Sequence, residues 1–373
     1  MRYGGSSAVA SEAAPDRDIA GVQCDTAGVA KDDAGQEGDT AGQEGDTAGV
    51  AKDTAGVQGD TAGPGGDAAG LAKDTAGAPR DRDSLAGCLI VDKPAGWTSH
   101  DVVARIRRLL GTRRVGHAGT LDPDATGVLV IGIGRATRLL RFATLLRKTY
   151  VGEVVLGVAT STLDASGEVT ARADMEHVTA EEVRMAALSL TGRLEQVPPM
   201  VSAVKVGGRR LYELAREGIE VDRQARPVEV FRFDVFDTGV PSVYQILVEC
   251  SSGTYVRVLA ADLGERLGGF AHLRTLRRVA VGSFRDSEAV ALDRVSPAGV
   301  LACAELVRDM PSVELAAEDL DAIAHGRSVE RAALKVAGDG PWALLGPDGD
   351  LVAVGEPRGT DKVRPAVVLA PAG

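Results

Sequence analysis

The segment Val115-Gly-His-Ala-Gly-Thr-Leu-Asp-Pro-Asp-Ala-Thr-Gly-Val128 gathers the groups with the clearest chemical potential. It sets one histidine, His117, and two carboxylates among three glycines, between two apolar stretches. Glycine lets a backbone come close to a ligand. Asp122 precedes Pro123, whose ring pushes it out of helical geometry and presents it at a bend. Two readings are open on pattern alone. Asp122 and Asp124 could form an acid/base pair of the kind that cleaves glycosidic bonds, or Asp-Pro could be a structural turn.

The charge around this loop is unusual. Residues 101–150 hold ten Lys/Arg, among them Arg105, Arg108, Arg135, Arg138, Arg141 and Lys148, against three Asp. A second basic group follows at Arg274, Arg277, Arg278 and Arg285. Such stretches are either solvated helix faces or surfaces that track phosphates. The chain as a whole argues the other way: 373 residues with 42 Lys+Arg and 53 Asp+Glu give a net charge of -11. That average hides a division. Residues 1–85 carry 16 acidic and 7 basic side chains, whereas the remainder carries 37 and 35 and nearly all the aromatics.

The acidic part is a seven-residue repeat, Asp-Thr-Ala-Gly opening at Asp25, Asp39, Asp46, Asp53, Asp60 and Asp74. A heptad suggests a coiled coil, but every copy carries glycine and no paired apolar positions recur. This composition buries too little to offset an ordering cost of ~1–2 kcal/mol per residue, so residues 1–85 are expected to be disordered. Deleting them is expected to leave the thermal midpoint and turnover nearly unchanged; a large drop in melting temperature would contradict this. Cys24, Cys88, Cys250 and Cys303 are far apart and show no metal-binding spacing, so neither structural metal nor a disulfide framework is expected. No stretch approaches the ~18 apolar residues of a membrane span, and a cytoplasmic protein is expected.

The elements that must position the loop follow from periodicity. Cys88–Asp92 reads as a buried strand and Lys93–Gly96 as a turn. Ser99 is placed as the N-cap of a helix with apolar Val102, Val103, Ile106, Leu109 and Leu110, closed by Gly111. Strands are expected at Val128–Ile133, Tyr150–Val158, Val228–Asp237, Val243–Cys250 and near Val279–Phe284, with helices at Ala136–Leu146, from Thr179 to near Gly192, and at Tyr255–Leu267. Thr179-Ala-Glu-Glu182 is a capping box. Strands that succeed one another without helices predict an α+β fold with a central mixed or antiparallel sheet. Short strands near Trp342–Leu345, Leu351–Val354 and Val367–Leu369 predict a small β-rich region at the end.

Five ordered blocks then carry a resemblance. They are Gly87–His100, Gly116–Gly127, Lys148-Thr-Tyr150 with Thr162–Glu168, Val197-Pro-Pro-Met-Val-Ser-Ala-Val-Lys205, and Gly253-Thr-Tyr-Val-Arg257. Together they resemble the TruB family of tRNA pseudouridine synthases. Leu211–Val221 is similar to an insertion of the stand-alone bacterial members, which guide-RNA-dependent siblings lack.

The resemblance implies a pseudouridine-synthase catalytic domain over 86–290 and a helical segment with a small PUA-like RNA-binding domain over 291–373. It implies isomerisation of a uridine in the T-arm loop of tRNA, at conventional position 55. Asp122 would act at the ribose, as nucleophile at C1′ or base at C2′. Arg257 would keep it ionised. Tyr150 would stack on the flipped base and Tyr255 would line the pocket. His117, Lys205, Arg138 and Lys93 would contact RNA. No metal, cofactor or protein partner is implied, and a monomer is expected. The alternative is a non-catalytic tRNA-binding or folding module of the same fold.

Overall fold

The computed structural model describes residues 85–369, apart from 203, 204, 212, 213, 215, 216 and 220. The acidic repeat and much of the Leu211–Val221 block lie outside the described residues, as does the Lys205 side chain.

Ten strands make one sheet. Along its main path run β14 (Val290–Ala291), β1 (Gly87–Lys93), β3 (Thr126–Ile133), β12 (Ala271–Val281), β4 (Lys148–Leu156), β11 (Val243–Cys250), β10 (Arg226–Asp237) and β7 (Gly192–Gln196). β2 (Val115–Ala118) pairs with β3, and β13 (Phe284–Arg285) with β12. β1 with β14 and β3 with β12 are parallel, and the remaining pairs are antiparallel. The sheet is therefore mixed, one of the two outcomes that the strand succession leaves open.

The apolar run of β1 is explained by burial on both faces. Leu89 and Val91 pack with Leu129, Ile131 and Ile133 against helix α1 (Ser99–Leu110). Cys88 and Ile90 face the other way, with Val128, Val130, Phe142 and Phe284. A third core gathers β4, β10 and β11 under helix α3 (Ala180–Ser189) and the Val256–Arg266 helix, around Val154, Ile246, Val248, Val183 and Leu259.

Local rules decide most element ends. Thr179 and Glu182 form the expected capping box. Helix α1 is capped one residue earlier than expected: Thr98 accepts from the Asp101 backbone and Asp101 answers the Thr98 backbone. Ser99 is thereby released for another task, described below. Gly111 ends this helix with φ 63°. Ala136–Leu146 divides into a tight turn, Gly134–Leu139, and the short helix α2, Leu140–Leu145. β12 starts eight residues before its expected start near Val279. Arg274, Arg277 and Arg278 break its apolar pattern, and two bulges break its alternation.

Beyond a series of short turns, a five-stranded sheet of order β15-β17-β18-β19-β16 forms the C-terminal part. It comprises β15 (Ser312–Glu314), β16 (Val329–Glu330), β17 (Trp342–Leu345), β18 (Leu351–Arg358) and β19 (Lys362–Val368). Trp342, 1% exposed, centres its core. Arg135 donates to the Leu369 carbonyl at 2.7 Å and Arg138 to the Val368 carbonyl at 2.7 Å, while Arg141 pairs with Glu356 at 3.1 Å. Part of the basic stretch therefore fastens the second sheet to the first.

Candidate active site

The loop between β2 and β3 is held from behind. Ser99, buried, accepts from the Leu121 N–H at 2.9 Å through Oγ. Lys93 is completely buried and gives its ammonium to the carbonyls of Pro94, Trp97 and Pro123 at 2.9, 2.6 and 2.8 Å. Burial brings this lysine down to about 8. Three carbonyls occupy all three of its protons, so in this structure none is left for the expected RNA contact. Ser99→Ala is expected to strand the Leu121 N–H at a cost of about 1–3 kcal/mol. A urea titration measures that cost; an unchanged midpoint would show that the serine does not anchor the loop.

What the loop presents is Asp122. Arg257, on the first turn of the Val256–Arg266 helix, meets it side-on, Nε to Oδ2 at 2.8 Å and Nη2 to Oδ1 at 3.1 Å. Arg257 is 3% exposed, and its guanidinium also donates to the carbonyls of Thr162 and Val201, both at 2.9 Å. A cation at a helix N-terminus opposes the helix dipole, and the bidentate carboxylate offsets that opposition. Asp164 approaches the same guanidinium at 3.5 Å, with Oδ1 accepting from the Thr162 and Ser166 hydroxyls at 2.6 Å. The Asp122 side chain is 41% exposed toward the cavity, yet protein encloses it elsewhere. That desolvation raises its carboxyl, and the Arg257 charge pulls against the rise.

Asp122 and Arg257 lie in a cavity of about 480 Å³ with Tyr150, Tyr255, His117, Lys148 and Arg278. Tyr150 is buried on β4. Burial raises its phenol, while Arg278, as charge and hydrogen-bond donor, opposes the rise. Tyr255 is fixed through its backbone: its N–H donates to Gln196 Oε1 at 2.9 Å and its carbonyl accepts from Gln196 Nε2 at 3.3 Å. Gln196, only 2% exposed, ties β7 to the start of the helix. His117 stands edge-on to His100 with centroids 5.5 Å apart. Burial, assisted by His100 and Arg278, brings it down to about 4, so the ring is neutral at pH 7. Its Nδ1 is buried without a hydrogen-bond partner among the described residues, which leaves it available to a ligand.

One further expected RNA contact and the second carboxylate of the acid/base alternative lie outside the cavity wall. Arg138 is exposed, donates through Nη1 to the Val368 carbonyl, and is absent from the cavity wall. Asp124 is exposed and absent from the wall of the 480 Å³ cavity, although it lines a smaller recess together with Asp122. Three residues that were given no site role do belong to the site: Asp164, Lys148 and Arg278. Asp164 and Lys148 stand within quoted sequence blocks and Arg278 within a noted basic group. Their burial is the missing signal, and it depends on pairing between distant strands.

Similarity to known proteins agrees with this arrangement. The model for the N-terminal domain of the TruB family pseudouridylate synthases matches residues 107–256, and that for the tRNA pseudouridylate synthase B C-terminal domain matches 257–310. The tRNA pseudouridine synthase B of an Arthrobacter species is 46% identical over 299 residues, covering 77% of this chain and 97% of the relative. That of Thermobifida fusca is 46% identical over 295 residues, covering 76% and 98%. A chain from an H/ACA RNP bound to a substrate RNA containing 2′-deoxyuridine shares the fold, with TM-score 0.59 and 22% identity over 76% of this chain and 85% of its own. With two adjoining family models and near full-length relatives matched, the chain belongs to the TruB family of pseudouridylate synthases.

Proposed function

We propose that this chain isomerises uridine to pseudouridine in tRNA, in the T-arm loop. The observation that carries the reading is the Asp122–Arg257 pair at the wall of a cavity flanked by two tyrosines. A carboxylate is needed at the sugar, because the C1′–N1 bond must break while the base stays bound. Asp122 supplies it, by bonding C1′ or by removing a C2′ proton. Tyr150 stacks on the flipped uracil and offsets part of the unstacking cost of a few kcal/mol. Tyr255 forms a second wall and His117 positions the nucleotide. Lys205 belongs to the RNA-contacting surface in this reading. The five-stranded C-terminal sheet is the RNA-binding appendage.

tRNA is the macromolecular partner, no further protein is required, and the protein acts as a monomer in the cytoplasm. No described helix is long and apolar enough to cross a membrane.

A tRNA transcript tritiated at uridine C5 tests the reading, since rejoining through C5 expels that hydrogen. Release of tritium is expected from the wild-type chain. Binding without release would replace the synthase by a binding module.

A further inference from the structure

Asp122 is matched by Arg257, but the same cavity holds two further cations, Arg278 and Lys148. They are 1% and 4% exposed. Arg278 donates through Nε to the Val128 carbonyl at 2.7 Å and through Nη2 to the Gly119 carbonyl at 3.1 Å. Lys148 gives its ammonium to the carbonyls of Thr144 and Leu146. These four carbonyls are neutral, as is the Tyr150 phenol beside Arg278, and among the described residues neither cation has a carboxylate partner. Burying a charge without a counter-charge is costly. A structure that buries two such charges beside a cavity is arranged for a negative occupant.

The sheet fixes where that occupant sits. Lys148 and Tyr150 are two apart on β4 and so share a face. Arg278 is the cross-strand partner of Tyr150, as Val281 is of Lys148. The loop comes close enough because Gly127, at φ 98°, has no Cβ; one added there would lie 2.2 Å from the Arg278 carbonyl oxygen. Arg278, Tyr150 and Lys148 therefore form one continuous wall.

We propose that Arg278 and Lys148 form a cationic pole that holds the negative charge of the detached uracil, an inference that rests on the synthase reading above. When C1′–N1 breaks, its electron pair leaves with the base, giving a uracil monoanion delocalised over N1, O2 and O4. Asp122 balances the ribose by forming a C1′–O bond or by removing the C2′ proton. The base then turns, a ring electron pair forms C1′–C5, and Asp122 is released or the C2′ proton returns. The C5 proton passes to solvent water and N1 takes one proton from water, so the product is neutral and no net proton is gained or lost. Two fixed cations lower the energy of the anionic stage specifically, because they are oriented before the charge develops.

Single-turnover rates on tRNA carrying either uridine or 5-fluorouridine at the target test this. 5-Fluorouracil is the stronger N–H acid, so its anion needs less stabilisation. It has no C5 hydrogen and reports only cleavage and rejoining. Arg278→Met is expected to slow the uridine substrate about 100-fold, with tRNA affinity within about threefold, and to slow the fluorinated one by roughly tenfold or less. Lys148→Met should show the same narrowing, and Arg278→Lys should recover most of the rate. Equal losses on both substrates, or no recovery by lysine, would overturn the proposal and leave Arg278 as a brace between Gly119 and Val128. If Arg278→Met fails to fold, the substrate ratios of Lys148→Met and Arg278→Lys decide alone. A wild-type chain inactive on both substrates would instead overturn the synthase reading.

Discussion

Asp122→Asn is expected to lower turnover by roughly 10⁴-fold or more while leaving tRNA binding within a few-fold. Asparagine keeps the shape and one acceptor oxygen, but it can neither bond C1′ as a carboxylate nor take a proton from C2′. The fold should tolerate the change. Breaking a fully buried ion pair costs about 3–5 kcal/mol, but Asp122 is 41% exposed at the cavity. Arg257 also keeps Asp164 and two carbonyl acceptors. A loss of about 1–2 kcal/mol is therefore expected from denaturant titration. Tritium release at wild-type rate from the variant would remove Asp122 from the chemistry altogether.

Arg257→Met is expected to lower turnover about 10²–10³-fold, and to move the pH profile as well. Burial already raises the Asp122 carboxyl, and Arg257 is the principal group holding it down. Without the guanidinium the carboxyl rises further. The reactive form is the carboxylate, present above its pKa, so the acid limb of the rate profile must shift to higher pH. Arg257→Lys keeps the charge without the two-pronged geometry and should shift less. The methionine variant should also lose stability, because the Thr162 and Val201 carbonyls lose their donor. An acid limb unmoved in Arg257→Met would show that Arg257 does not set the ionisation of Asp122.

Features set by near neighbours in the chain are legible in the sequence, and features set by distant contacts are not. The strand at Cys88–Asp92 and the capping box at Thr179 are governed by neighbours within a few positions, and both follow from the chain. The cap of α1 shows the limit of such rules. Thr98 and Ser99 are chemically equivalent candidates, and only the demand of the Leu121 N–H, 22 positions away, assigns Ser99 to the loop. Lys93 shows it more sharply. A lysine beside proline and glycine looks like a surface charge until the Trp97 and Pro123 carbonyls close over it.

The sequence by itself determined the composition of this site: a carboxylate held at a bend, a histidine between glycines, tyrosines and arginines in ordered blocks. Those blocks also establish the resemblance. It also restricted the sheet to a mixed or antiparallel one, because strands succeed one another without helices, and the two parallel pairings came from the structure. Only the tertiary structure decided which charges meet. Asp122 and Arg257 are 135 positions apart, and a basic residue in a charge count has no address. Arg138 joins the C-terminal sheet, Arg257 pairs with Asp122, and Arg278 enters the cavity without a carboxylate. The physical reason is that a charge acquires its role from burial and from its nearest counter-charge, and in this fold both are set by the register of strands far apart in the chain.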